Sequence, residues 1–285
     1  MKALITGSDG QLGTALQAVA PTGIAIVARD RATLDLTDAA AVRDLIASER
    51  PDVILNAAAW TAVDRAEAEE AAAHAINADA VGILAAAARD VGAKLVHVST
   101  DFVFDGNGGI PYCPDAPAAP VSAYGRTKLA GEIAAGGDAL IVRTAWVYAP
   151  TGGNFVRTML RLMNERDSVG VVADQVGTPT YAPDLARALW ALWQAEATGM
   201  LHYTDAGVAS WYDFAVAIQE ESVALGLLAK AVPVIPITTA QFPTPARRPF
   251  YSVLDKTRTW NILEKPAPHW RVNLRTMLKE IAAHG

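Results

Sequence analysis

Cysteine is almost missing from this 285-residue chain. Cys113 stands alone, so no intramolecular disulfide can form, no cysteine cluster can hold zinc, and the reducing cytoplasm is the expected location. Charge is also sparse: 19% of residues are charged, and 24 basic against 30 acidic side chains leave a net charge of -6. With the two signs interspersed there is neither a basic face for nucleic acid nor a polybasic membrane patch. Long apolar runs are lacking as well. The run Met1 to Thr6 reaches the polar stretch Gly7 to Gln11 before the apolar core of an export signal would be complete, and Ala80 to Val98 is broken by Arg89, Asp90 and Lys94. The five histidines are scattered, and no His-Glu-x-x-His, Gly-x-Ser-x-Gly or Walker pattern occurs. Zinc hydrolysis, serine-hydrolase chemistry and P-loop chemistry are therefore not indicated, and no metal is expected.

What is present is a 52% hydrophobic composition in a chain long enough, at roughly 150 residues per domain, for two domains or one large α/β body. Short apolar strands alternate with helical periodicity. Strands are predicted at Lys2 to Thr6, Ile24 to Ala28, Val53 to Asn56, Leu95 to Ser99 and Ala139 to Thr144. Helices are predicted at Gln11 to Val19, near Ala39 to Ser48, Ala75 to Val91 and Ala123 to Ala134. Such βαβ repetition implies a Rossmann-type, doubly wound parallel sheet covered on both faces. Residues 1–145 read as the dinucleotide-binding domain, rejoined by segments near 168–195 and 230–250, and 146–285 mainly as a smaller substrate-binding lobe. That lobe is expected to carry helices near Asn154 to Glu165, Pro183 to Ala195, Trp211 to Leu225 and Asn273 to Ala283, a strand near Ser168 to Val172, and a loop from Pro233 to Pro249.

The first strand runs into Gly7-Ser8-Asp9-Gly10-Gln11-Leu12-Gly13. At a strand-to-helix turn, glycines so spaced allow a sharp turn, close approach of a pyrophosphate to the backbone, and tight packing of helix on strand. Asp30, ending the second strand, is placed either to reach an adenosine ribose or simply as a surface turn aspartate; its neighbours Arg29 and Arg31 suit a 2′-phosphate instead. Tyr124 and Lys128, four apart on one predicted helix, share a face, and an ammonium beside a phenol lowers its pKa. Ser99, Thr100 and Asp101 end the fourth strand, where open parallel sheets bind ligands; helix or turn capping is the plain alternative. His97, inside an apolar strand, reads as a hydrogen-bonded core residue, and Trp190 and Trp193 as packing residues. Asp64, Arg65, Glu67, Glu69 and Glu70 read as a solvated helix start.

Together with NAAAWTAVDRAE at Asn56, VSTDFVFDG at Val98, SAYGRTKLAGE at Ser122, RTAWVYAPTGGNF at Arg143, DQVGTPT at Asp174 and PTPARRP at Pro243, these motifs resemble the extended short-chain dehydrogenase/reductase family. Within it, they resemble the group that reduces dTDP-4-dehydro-L-rhamnose. The resemblance runs through nearly the whole chain. It implies Thr100, Tyr124 and Lys128 as the catalytic set, with Tyr124 the proton donor and Lys128 also on the cofactor. It implies NADPH or NADH held by Gly7, Gly10, Gln11, Leu12, Gly13, Asp30, Asp35, Leu36, Ala59, Trp60 and Thr61, and a nucleotide sugar on Thr100, Asp101 and Trp146. Arg247 and Arg248 are implied diphosphate contacts, against a plain reading as a solvated basic pair. Some relatives bridge two subunits through a metal held by a first-helix glutamate; Thr14, Ala15 and Leu16 stand there instead, so no metal is implied and a homodimer is left open. Two alternatives stay open: another nucleotide-sugar epimerase, dehydratase or reductase, and a non-catalytic regulatory homologue such as a methionine adenosyltransferase β subunit.

Overall fold

The first strand, β1 (Lys2–Thr6), shows how the sheet is covered on both sides. Ala3 and Ile5 pack with Leu12 and Leu16 of α1 (Gln11–Ala18), whereas Leu4 packs into a separate core on the opposite face. Successive strand side chains point to opposite faces, so an apolar run with no polar alternation needs a helix layer on each side. The computed structural model describes residues 1–284. β2 (Ala25–Arg29), α2 (Ala39–Glu49) and β3 (Val53–Asn56) continue the alternation, with the Asp38 side chain capping α2 by accepting from the Ala40 and Ala41 N–H groups. Next come α3 (Val63–Ala68) and a helical run made of α4 (Glu70–His74), a π-helical turn at Ala75–Asp79, and α5 (Ala80–Val91). By length and composition alone the run Glu70–Val91 could cross a membrane, but half of it is buried within the protein, where it packs on α2 and on the later helix α6 (Ala123–Ala135). β4 (Lys94–Thr100) precedes α6, and β5 (Leu140–Thr144) follows it.

The second half starts with β6 (Val147–Tyr148), α7 (Phe155–Glu165), β7 (Val169–Val172), β8 (Val176–Gly177) and β9 (Thr180–Tyr181). It continues with α8 (Ala182–Gln194), β10 (Gly199–His202), β11 (Ala209–Ser210) and α9 (Trp211–Ala224), then β12 (Val234–Ile237), α10 (Thr257–Ile262) and α11 (Trp270–His284). The main sheet is six-stranded and parallel, in the order β10-β5-β4-β3-β1-β2. After β1 the chain goes to one side to form β2 and then to the other to form β3. This reversal opens a crevice beyond the carboxyl ends of β1 and β3, where such sheets bind ligands.

One expectation needs correction, and two elements carry no mark in the sequence. Gly-Met-Leu-His has too little pattern to mark β10 as a strand; it is recruited as an edge by β5, with His202 opposite Arg143. α10 was likewise unmarked. The stretch Pro233 to Pro249, expected to be loop, contains β12, which pairs in parallel with β7 and places Pro236 opposite Val171. A two-stranded sheet is all edge, so proline's missing N–H is tolerated.

The later segments are shared between two buried cores. α8 and β10 join the core around β1, with Leu185, Leu189, Trp190 and Leu201 in that cluster. β7, α7, α9 and α11 build a second core around Val156, Phe214, Leu274 and Leu278. The 230–250 segment splits: Val232 and Val234 belong to this second core, while the Ala246 N–H and Arg248 reach back to Asp64 on α3.

Candidate active site

At the switch point the glycine turn is held by sterics. Gly7 has φ +64, a left-handed conformation that suits glycine, and a Cβ there would lie 2.7 Å from Ala58 Cα in the loop after β3. A Cβ on Gly13 would lie 2.1 Å from the Gly7 carbonyl oxygen. Gly10 is exposed, and no side chain caps the first turn of α1. The fold thus presents bare backbone N–H groups and the positive end of a helix dipole to the crevice, which suits a pyrophosphate. Gln11 and the buried Leu12 follow, and Gln11 Oε1 accepts from Asn154 Nδ2 at 2.9 Å. The site's residues therefore fit a dinucleotide.

Asp30 lies just past β2, its Oδ1 engaged by the Thr33 N–H and hydroxyl, which hold its carboxyl below the usual range. Arg29 leans toward Glu49 at 3.9 Å, and Arg31 is exposed. Asp35 is exposed and tied to Thr37, whereas Leu36 is buried in the core beneath β1 and β3. Ala59, Trp60 and Thr61 form the loop after β3. That loop is anchored by Asn77, whose Oδ1 accepts the Trp60 N–H at 2.8 Å.

At the carboxyl end of β4 the structure brings Thr100, Asp101 and Tyr124 together. The Thr100 hydroxyl donates to Asp101 Oδ1 at 3.0 Å, and the Tyr124 phenol lies beside it. Tyr124 enters on α6, whose start is capped by the Ser122 side chain accepting from Gly125 N–H. Burial raises the phenol to about 12, helped by the neighbouring Asp101 and opposed by Thr100. Asp101 is itself raised to about 6 by burial, against the nearby Ser252 and Thr100 hydroxyls; its Oδ1 accepts from Thr100, while its Oδ2 has no hydrogen-bond partner.

The expectation that Lys128 lowers the tyrosine's pKa is corrected. The lysine does lie one turn along the same helix, but its ammonium turns to the Val98 carbonyl at 2.7 Å and to His97. It is 1% exposed, and burial brings it down to about 8. Burial keeps Tyr124 in the protonated form a general acid needs.

Trp146 follows β5 with φ +48, a strained conformation for a bulky side chain. One face of its indole stacks on Trp211, ring centroids 3.5 Å apart and nearly parallel. With Phe102, Gln175, Arg248 and Ser252 it lines a small cleft. Arg248 is not the solvated residue of the plain reading: its guanidinium grips the Asp64 carboxylate at 2.8 Å. Arg247 is exposed.

Several polar residues at the site went unassigned from sequence. Asn77, fully buried in the π-helical turn, donates to the Trp60 carbonyl and to Thr127 on α6, joining the loop after β3 to the helix of Tyr124. A lone asparagine within an alanine-rich helix was the available signal. π-turns occur preferentially at functional positions, but sequence periodicity does not reveal them. Asn154 falls within the RTAWVYAPTGGNF motif, where nothing local marks its role, and Ser252 is brought to the site by the pairing of its segment with Val176.

A Rossmann-type sheet that delivers a glycine cradle and a buried Thr–Tyr–Lys set to one edge places this chain among the extended short-chain dehydrogenases/reductases. More narrowly, the family model described as the RmlD substrate binding domain matches residues 1–283, and the chain belongs to that family. It is 43% identical to a dTDP-4-dehydrorhamnose reductase of Burkholderia thailandensis over 99% of each chain. The solved dTDP-4-dehydrorhamnose reductase of Clostridium acetobutylicum superposes with a TM-score of 0.92 at 40% identity, over 99% of both chains. That of Bacillus anthracis, solved in complex with NADP, gives 0.92 at 36% identity, over 98% of this chain and 99% of the other.

Proposed function

We propose that this chain reduces the C4 keto group of dTDP-4-dehydro-L-rhamnose to give dTDP-L-rhamnose, using NADPH or NADH. The observation that carries the reading is the buried Tyr124, held protonated beside Thr100 at the sheet edge next to the glycine cradle. The bound nicotinamide would supply the hydride. Tyr124 donates its proton to the alkoxide formed at C4, Thr100 orients the reacting oxygen or the phenol, and Lys128 holds the proton that restores the phenol and contacts the nicotinamide ribose. Trp146 presents an apolar face to the deoxysugar, and Asp101 accepts from a sugar hydroxyl. Gly7, Gly10, Gln11, Leu12 and Gly13 take the pyrophosphate, and Asp30, Asp35, Leu36 and Ala59 to Thr61 flank the rest of the cofactor.

Asp30 favours a free ribose and the adjacent arginines a phosphorylated one, so both reduced cofactors serve, within about a thousandfold in kcat/KM. Residues 1–145 with α8 and β10 form the cofactor half, and most of 146–285 the sugar half. The cytoplasm, where reduced nicotinamide is abundant, is the proposed location, and a homodimer the assembly to test.

The test is oxidation of NADPH by the purified protein with synthetic dTDP-4-dehydro-L-rhamnose. No turnover with that sugar, together with a tightly retained oxidised cofactor, would turn the assignment to an epimerase or dehydratase.

A further inference from the structure

Behind Lys128 lies a buried hydrogen-bond chain that the reaction as described does not use. His97, on β4, is fully buried; its Nδ1 is 3.1 Å from Asn56 Nδ2 and its Nε2 is 3.4 Å from Lys128 Nζ. The orientation of the Asn56 amide is set by its other contacts. Asn56 Oδ1 accepts from the Ala58 N–H at 3.2 Å and from the Thr6 hydroxyl at 2.7 Å, and a backbone N–H can only donate. The amide N–H₂ therefore points at His97 Nδ1, which must supply a lone pair. A neutral imidazole carries one proton, which then sits on Nε2, directed at Lys128.

An ammonium has three donors and no acceptor, so an Nε2–H facing it is a donor meeting a donor. A neutral amine, with a lone pair, can accept that N–H. We propose that His97, fixed as the Nε2–H tautomer by Asn56, is a positioning residue that makes the Lys128 ammonium more acidic from behind the site.

The proposal rests on the reading of Lys128 as the group that exchanges protons with Tyr124. Other groups around Lys128 act differently. Glu132, one turn further on α6, favours the ammonium but is itself gripped by Arg143 of β5 at 2.7 and 2.8 Å. Asp101 acts on Tyr124. Burial of His97, together with the lysine's own charge, holds the imidazole well below its ordinary pKa, so imidazolium does not compete. A lysine poised near neutrality gives up and regains its proton readily, which suits rapid reprotonation of Tyr124.

Two substitutions test the proposal while keeping the volume filled. In His97→Gln the amide can turn its oxygen to the ammonium. In Asn56→Asp the carboxylate draws the imidazole proton to Nδ1 and bares the Nε2 lone pair. Each is expected to raise the Lys128 titration midpoint, followed by NMR of carbon-labelled lysine, by about one pH unit, a tenfold change in proton affinity. The alkaline limb of kcat/KM should move with it. Nitrogen-labelled histidine in the wild-type protein should report Nε2–H.

An Nδ1–H tautomer overturns the proposal regardless of turnover. So does an unmoved Lys128 midpoint in whichever variant folds, because a merely structural role would lower stability without moving it. A shifted midpoint in a protein that does not reduce the keto sugar would leave the histidine assignment standing and refute the proposed reaction instead.

Discussion

Gly131→Ala tests how closely the catalytic helix must approach the sheet and the π-turn. The glycine lies on α6 between Lys128 and Glu132, and a Cβ there would sit 2.0 Å from the Asn77 carbonyl oxygen and 3.6 Å from His97 Nε2. Carbon and oxygen atoms cannot approach much closer than about 3.2 Å, so backbone must move by on the order of 1 Å. Neither partner is a flexible side-chain tip: one is a helix backbone, the other the backbone of the residue that anchors the Trp60 loop. Overpacking of this kind costs about 1–3 kcal/mol, or a few degrees in Tm for a chain of this length. The displacement carries Tyr124 and Lys128 with it, and a shift of about 1 Å at reacting groups costs roughly a hundredfold in turnover.

Gly82→Ala, on α5, is the control. Its Cβ would meet only the Ala134 methyl at 3.6 Å, so helix propensity should make it neutral or stabilising by up to about 1 kcal/mol. Thermal unfolding and kcat/KM, measured side by side, decide the matter. A Gly131→Ala protein with wild-type Tm and turnover would refute the reasoning.

Tyr124→Phe should lower kcat by about 10²–10⁴-fold, the usual contribution of a positioned acid, with cofactor Kd nearly unchanged; near-normal turnover would remove Tyr124 from its role. Trp146→Ala should lower kcat/KM at least about tenfold with a drop in Tm of only a few degrees, because one face already opens to the cleft. A loss of about 3–5 kcal/mol with wild-type kcat/KM in the folded fraction would make Trp146 a packing residue. Asp205, buried with Oδ1 unpaired, has its carboxyl raised to about 8, chiefly by burial. An acid raised on folding stabilises fully below its unfolded pKa, near 3.8, and that stability is lost as pH rises through its folded pKa. Asp205→Asn should therefore gain in Tm relative to wild type between about pH 4 and 8, and a difference independent of pH would contradict the buried-acid reading.

Much of this architecture was legible because it is written in local periodicity. β1 to β5 and their helices are short apolar runs and 3.6-residue stripes bounded by glycine, proline or capping residues, and they form with small shifts of boundary. β10, α10 and β12 were not legible, since each takes its conformation from a partner supplied elsewhere: β5 for the first, the surface beside it for the second, and β7 for the third.

The same division holds at the site. The glycine spacing and the Tyr124–Lys128 interval fall within one turn or one helix, so the order of residues alone dictated their proximity. The direction of the Lys128 ammonium was not local. It is set by the Val98 carbonyl on another element, with His97 of the same strand behind it, and the grip of Arg248 on Asp64 joins residues 184 positions apart. The partners of Asn56, Asn77 and Ser252 became legible only in three dimensions, for the same reason. Secondary structure and short-range motifs follow from backbone and side-chain preferences within a few residues, whereas hydrogen-bond partners and the acidity of buried groups depend on which distant segments exclude water around them.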